Sequence, residues 1–307
     1  MDYDTLIDDE VWAFIHKTQA AYPDDAVTLD IAGQRRVYDD MCRQFHQPYP
    51  AGVTARDLSA NGVPVRVYTA GNPGVTVIYF HGGGFVVGNL DSHDDVSAEI
   101  CAGTGYRVVS VDYRLAPEHK HPAAFDDCWT AVNWVAEQFQ QKMVLAGDSA
   151  GGNLAAAVAH HARGRLKGIA GQVLVYPGLG GDWNARSYTE HANAPMLNRA
   201  DMEFYQAVRL DGDPPKDDPT FAPLQDTDFS GLPRTAIFTA ECDPLQSDGP
   251  AYRDKLSAAG VRVCETTEKG LVHGYLRARV MSSKAADSFE RIVLAIEAFG
   301  QELWPYD

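Results

Sequence analysis

Residues 147–151 read Gly-Asp-Ser-Ala-Gly, which puts Ser149 at the centre of a G-x-S-x-G pentapeptide. A serine hydroxyl is a poor nucleophile until a neighbouring base takes its proton, so the chemistry this motif could carry is acyl transfer through a covalent acyl-serine. The pentapeptide alone is weak, because its residue types are common. Its flanks add weight: KMVLA before it is an apolar strand, and GNLAAAVAHHA after it is a helix former. Strand, tight turn and helix lift the serine hydroxyl clear of the sheet and aim the first N–H groups of the helix at it. The alternative is a serine capping an ordinary strand-to-helix turn.

A second motif, His81-Gly82-Gly83-Gly84 before Phe85, follows the apolar run VTVIYF directly. Three consecutive glycines cost backbone entropy. They make sense where N–H groups must approach a charged oxygen with no side chain in the way, as the tetrahedral intermediate of acyl transfer requires. Gly83 and Gly84, with Ala150 as a third donor, are assigned to that oxyanion hole; Gly82 stays a candidate, because the sequence does not say which two of the three glycines donate. A phosphate loop would need Lys-Ser/Thr after its last glycine, and the dinucleotide fingerprint has a different spacing. His81 precedes the serine and reads as structural, its ring holding the loop.

The fold that hosts such an elbow orders its triad Ser, Asp/Glu, His. After Ser149 come His160, His161, His191 and His273. The first two lie inside the helix after the elbow and point away, and His191 falls in an irregular stretch. His273 sits between Gly270 and Gly274, in a loop after the last strand, and is taken as the base. Glu241, Asp243 and Asp248 follow the strand TAIFT; Asp243 is preferred as the acid, because Pro244 stiffens its loop. Glu241 remains its rival or a brace for the loop. Asp148 caps or braces the elbow.

These residues need a scaffold. Strand patterns occur at Val63–Tyr68, Val75–Phe80, Arg107–Val111, Met143–Ala146, Gly171–Tyr176, Thr235–Thr239 and Val261–Thr266. Helical patterns fall at about 123–138, 150–162, 248–258 and 284–302. The alternation predicts an α/β fold: a mostly parallel central sheet with helices on both faces. Residues 1–50 carry Leu6, Val11, Phe14 and Ile15 at helical spacing, with a second helix over 33–46 ended by Pro48 and Pro50, and are expected to form N-terminal cap helices. Residues 51–307 form the catalytic domain. The stretch 180–225 breaks the rhythm with Trp183, Tyr188, Met196, Leu197, Met202, Phe204 and Tyr205, and is expected to complete a helical cap.

The chain has 307 residues, 45% hydrophobic and 22% charged, with a net charge of −16. Such acidity repels phosphate backbones and anionic lipid heads, which excludes nucleic-acid partners and a polybasic membrane patch, and it mildly disfavours anionic substrates. The five scattered cysteines include no C-x-x-C pair, which points away from a disulfide framework or zinc site and towards a reducing compartment. The acidic start MDYDTLIDDEVW has no signal-peptide order, and no run approaches the ~20 apolar residues of a membrane span. The cytoplasm is the expected location.

Further motifs stand in order along the chain: Gly88 and His93 after the glycine loop, Asp112-Tyr-Arg-Leu-Ala-Pro-Glu-His119 with Pro122-Ala-Ala124, Gly152-Asn153 after the elbow, Tyr176-Pro177, Asp243-Pro-Leu245 and His273-Gly274. Together these resemble the bacterial hormone-sensitive-lipase family of esterases, in its GDSAG-type branch, over roughly residues 60–300. The resemblance implies the α/β-hydrolase fold and hydrolysis of short-acyl esters, a small-molecule substrate, by a Ser149-His273-Asp243 triad without cofactor or metal. It also implies that Asp112–His119 is a structural segment beside the site, with Glu118 buried and hydrogen-bonded. Tyr275 stands where the family often has Phe, which would alter the polarity of the acyl pocket. A peptidase or amidase would share this chemistry, and a non-catalytic receptor would share the fold, although a receptor predicts a damaged triad. Acyl preference, stereoselectivity and oligomeric state, including a homodimer through an edge strand or helix, are not written in these motifs.

Overall fold

A computed structural model describes residues 1–23 and 29–306; residues 24–28, within the expected cap, lie outside the described residues. Eight strands form one sheet: β1 Thr54–Ala60, β2 Val63–Thr69, β3 Val75–Phe80, β4 Arg107–Val111, β5 Lys142–Asp148, β6 Ile169–Val175, β7 Thr235–Cys242 and β8 Val263–Val272. Their order is β1-β2-β4-β3-β5-β6-β7-β8, antiparallel at β1–β2 and β2–β4 and parallel from there on. The helices are α1 Asp9–Ala20, α2 Ile31–Arg43, α3 Asp94–Thr104, α4 Ala123–Phe139, α5 Ala150–Ala162, α6 Arg186–Glu190, α7 Arg199–Arg209, α8 Asp248–Ala258 and α9 Ser283–Gly300.

Side chains of the central strands alternate between two cores, as the two-residue period of a strand requires. Val77, Tyr79, Val144, Ala146, Val173 and Val175 belong to the core shared with α1, α3 and α9. Ile78, Phe80, Met143, Leu145 and Leu174 belong to the core shared with α4, α5 and α8. Burial on both faces explains why these strands read as continuous apolar runs.

Two elements escape the sequence reading. Strand β1 (TARDLSA) is mostly exposed at the sheet edge, so it lacks an apolar signature. Helix α3 starts with Asp94 and Asp95 and is nevertheless buried, because Tyr49, Tyr68 and Arg66 bond Asp94 while Arg279 pairs with Asp95. The last strand also runs longer than expected, to Val272, which carries the chain to His273.

The loops after β3, β5, β7 and β8 all emerge at the carboxyl ends of parallel strands, where ligands bind in open α/β sheets. Thr18, Tyr38, Met41, Met202 and Tyr205, from α1, α2 and α7, face the same cavity of about 440 Å³ as Ser149 and His273. Arg35 of α2 ties this layer down: it donates to the carbonyls of Val86 and Ala116 and to the Glu118 carboxylate at 2.7 Å. Glu118 is therefore hydrogen-bonded as expected, but it is exposed, with 53% of its side chain accessible. The correction has a simple cause: its partner is Arg35 of α2, which is itself partly exposed. Among the described residues, no helix is long and apolar enough to cross a membrane.

Candidate functional site

The elbow forms because β5 and α5 meet almost without a linker. Ser149 bridges them with φ 55° and ψ −117°, a combination that costs a residue with a side chain ~1–3 kcal/mol unless its surroundings hold it. Here the Ser149 N–H donates to the Val175 carbonyl at 2.9 Å. A Cβ at Gly151 would run into the carbonyl of Phe80, and one at Gly147 into that of Gly151. The two glycines of the pentapeptide are thus steric requirements of a helix packed tightly against the end of β3.

Asp243 and His273 become neighbours through sheet register. Strands β7 and β8 pair in parallel with Cys242 opposite Val272, so the next residue of each leaves the sheet side by side. His273 Nδ1 lies 2.7 Å from Asp243 Oδ2, and Nε2 lies 2.8 Å from Ser149 Oγ. The Leu245 N–H donates to the other Asp243 oxygen at 2.9 Å. Asp243 is fully buried, whereas the His273 side chain keeps 12% exposure towards the cavity. The rival carboxylates are engaged elsewhere. Glu241 accepts from the Gly270 N–H at 2.8 Å and from Lys269, bracing the approach to His273. Asp248 accepts from the Leu179 and Gly181 N–H groups and from the Tyr188 hydroxyl.

The glycine loop is organised by Asp148, the residue before the serine. The Gly82 N–H donates to Asp148 Oδ1 at 3.0 Å, and the Tyr79 hydroxyl donates to the same oxygen at 2.7 Å. Gly82 is therefore corrected from a candidate oxyanion donor to an anchor of the loop, since its one N–H is taken. Among the described residues, the N–H groups of Gly83, Gly84 and Ala150 meet no acceptor. Burial alone would raise the Asp148 pKa, but His93 at 3.4 Å, Arg277 and Tyr79 outweigh it and hold the carboxyl well below the usual range. His81 is structural: its Nδ1 bonds the Gly82 carbonyl at 2.8 Å and its ring stacks on Tyr113 at 4.3 Å. Complete burial, helped by His93, pulls its pKa down to about 3.

The remaining histidines stand apart. His160 bonds Asp226 and the Tyr252 hydroxyl beneath the sheet, and His191 bonds the Tyr3 hydroxyl. Two arginines that line the cavity, Arg209 and Arg277, carry no motif that would have singled them out. Only an arginine in an otherwise apolar helix face or loop hints at such a burial. Asn153, quoted with the elbow motif, donates to the carbonyls of Gly178 and Phe221 at 2.8 and 3.0 Å and so ties the start of α5 to the loops around the cavity.

Comparison with known proteins agrees with this architecture. A family model described as alpha/beta hydrolase fold matches residues 77–277. Carboxylesterase NlhH of Mycobacterium tuberculosis is 40% identical over 252 residues, covering 76% of this chain and 78% of its own. The ethyl acetate hydrolase of Pseudomonas putida is 33% identical over 264 residues, covering 82% of this chain and 81% of its own. Among solved structures, the ester hydrolase EH1AB1 from the metagenome of Lake Arreo, complexed with a bipyridine phosphonate derivative, superposes with a TM-score of 0.86 at 30% identity. That match covers 95% of this chain and 99% of the other. The fold, the shared motifs and these similarities make the chain a member of the α/β-hydrolase family, among its bacterial hormone-sensitive-lipase-like esterases.

Proposed function

We propose that the protein is a carboxylesterase that hydrolyses short-chain acyl esters, with Ser149 as nucleophile, His273 as general base and acid, and Asp243 as the residue that orients His273. The observation that carries this reading is the unbroken relay at 2.8 and 2.7 Å from the Ser149 hydroxyl through both nitrogens of His273 to a buried carboxylate. It faces three N–H groups without acceptors among the described residues.

In the first half-reaction His273 Nε2 takes the Ser149 proton as Oγ attacks the ester carbonyl. The carbonyl oxygen becomes an oxyanion in reach of the Gly83, Gly84 and Ala150 N–H groups. Collapse breaks the bond to the alcohol oxygen, which leaves with the proton from His273. Water then attacks the acyl-serine, gives one proton to His273, and the acid departs as Oγ recovers that proton. Asp243 keeps Nδ1–H pointed at itself, so Nε2 is free to accept, and it stabilises the imidazolium.

The layer built from residues 1–50 and 180–225 acts as a cap in this reading. Its side chains narrow the cavity to a size at the lower end of small-molecule sites, which favours short acyl chains, in keeping with a relative named ethyl acetate hydrolase. An acyl-length series from acetate to decanoate p-nitrophenyl esters, run on wild type and Ser149→Ala, tests all of this. Turnover should peak at short chains and vanish in the variant. Unchanged turnover in Ser149→Ala, or no labelling of Ser149 by a fluorophosphonate, overturns the reading.

A further inference from the structure

The cavity contains a cation that the esterase mechanism does not use. Arg209, the last residue of α7, is 7% exposed and lines the same cavity as Ser149. Its guanidinium lies between two aromatic faces, 3.6 Å from the ring centroid of Phe85 and 4.3 Å from that of Phe221. A guanidinium has five N–H bonds to satisfy. Among the described residues, its only acceptor is the Phe221 carbonyl, at a long 3.4 Å.

The carboxylate whose charge acts on Arg209 is committed elsewhere. Asp218 bonds His121 at 3.1 Å and accepts from the hydroxyl and N–H of Thr220, and it reaches Arg209 only through space. Burial without a partner pulls the Arg209 pKa down to about 9, so the group is still charged at neutral pH. None of its nitrogens is both sealed from solvent and unbonded, so a cation with reachable donors stands where a bound anion gains from it.

Its placement says what gains. Phe85 follows Gly84 of the glycine loop, and the Phe221 carbonyl that Arg209 touches also accepts from Asn153, one helical turn after Ser149. The guanidinium therefore lines the cavity that holds Ser149, held between two rings and with no second acceptor among the described residues. A planar fork held this way matches a carboxylate bidentately.

We propose that Arg209 recognises a carboxylate on the substrate, so that the preferred esters are small and anionic: half-esters of short dicarboxylic acids, or acyl esters of short hydroxy acids. This rests on the esterase reading and names the substrate class of that site. It also reverses the expectation from net charge: the acidic surface is unfavourable to anions, but the cavity is built to hold one.

The test uses proton release in a pH-stat. Monoethyl glutarate carries its carboxylate on the acyl arm and is compared with ethyl pentanoate. Acetoxypropanoate carries it on the alcohol arm and is compared with butyl acetate. Wild type should favour the anionic member of one pair by roughly 10–100-fold in kcat/KM, and Arg209→Met, which keeps length and apolar contact, should abolish that ratio. The arm that responds identifies the half of the substrate that Arg209 reads. No anionic preference in either pair, or one that survives Arg209→Met, overturns the proposal. Calorimetric binding of monoethyl glutarate to Ser149→Ala, and its loss in Ser149→Ala/Arg209→Met, reads the anion site without turnover. Failure of hydrolysis is thereby distinguished from failure of recognition.

Discussion

The Gly82 N–H donates to the Asp148 carboxylate at 3.0 Å, so the residue before Ser149 holds the glycine loop that flanks it. One carboxylate thus couples the two backbone segments that, in the proposed mechanism, present N–H groups to the same oxygen. Asp148 is a positioning residue in this arrangement. It is also the counter-charge of a buried cluster with His93 and Arg277.

Replacing Asp148 by Asn should therefore show two effects. Stability should fall by about 3–5 kcal/mol, the usual cost of leaving a buried charge unpaired. Turnover should fall by ~10-fold or more in kcat with little change in KM, because a misaligned oxyanion loop loses interactions made only in the transition state. Chemical denaturation and steady-state kinetics on the same preparation separate the two. A variant that is less stable but has wild-type kcat would show that Asp148 only supports the fold.

The strained backbone at Ser149 offers a trade between stability and activity. Glycine adopts φ 55°, ψ −117° without a Cβ penalty. Ser149→Gly should raise unfolding stability by ~1 kcal/mol, the relief of strain being partly offset by glycine's greater unfolded-state entropy, while turnover is lost. A thermal shift downward would mean that the nucleophile's side chain contributes more to the fold than its strain costs.

The relay should behave as a unit. Asp243→Asn leaves the shape of the site but favours the wrong imidazole tautomer, and kcat should drop by ~10³–10⁴. Ser149→Ala and His273→Ala combined should be little worse than either alone. Multiplicative losses in the double variant would argue that the two residues act separately.

Glycine positions should differ sharply in tolerance. At Gly151 a Cβ meets the Phe80 backbone, which cannot move without breaking the elbow, so Gly151→Ala should abolish activity and strongly destabilise the fold. At Gly164, whose φ is positive at 73°, nothing lies within 4 Å, and Gly164→Ala should cost only about 1–2 kcal/mol with activity retained. Expression level, thermal unfolding and specific activity of the pair check this.

The buried histidines set an acid limit. The unfolded chain protonates His81 below its usual value near 6.5, whereas the folded chain refuses the proton until about pH 3. Stability from this group is complete above 6.5 and falls as pH drops, by about 1.4 kcal/mol per pH unit at most. His81→Asn should be less stable at pH 7.5 but show a shallower decline between pH 6.5 and 4. Part of the slope should persist, since burial also lowers the pKa values of His121, His160 and His191. Denaturant titrations at several pH values measure it, and an unchanged slope would assign the acid sensitivity to other groups.

Local pattern determined much of this protein. The central strands were legible because burial on both faces makes them continuous apolar runs, and the pentapeptide was legible because its glycines answer contacts set by a neighbouring strand and helix. Chain order then paired Asp243 with His273. Tertiary structure decided what depends on partners distant in sequence. Whether Gly82 could donate turned on Asp148, 66 residues away, and whether Glu118 was buried turned on Arg35, 83 residues away. The charge of Arg209 became a property of the cavity only when Phe85 and Phe221 closed around it. A sequence records which groups a residue offers; only the packed chain determines which of those groups are already taken.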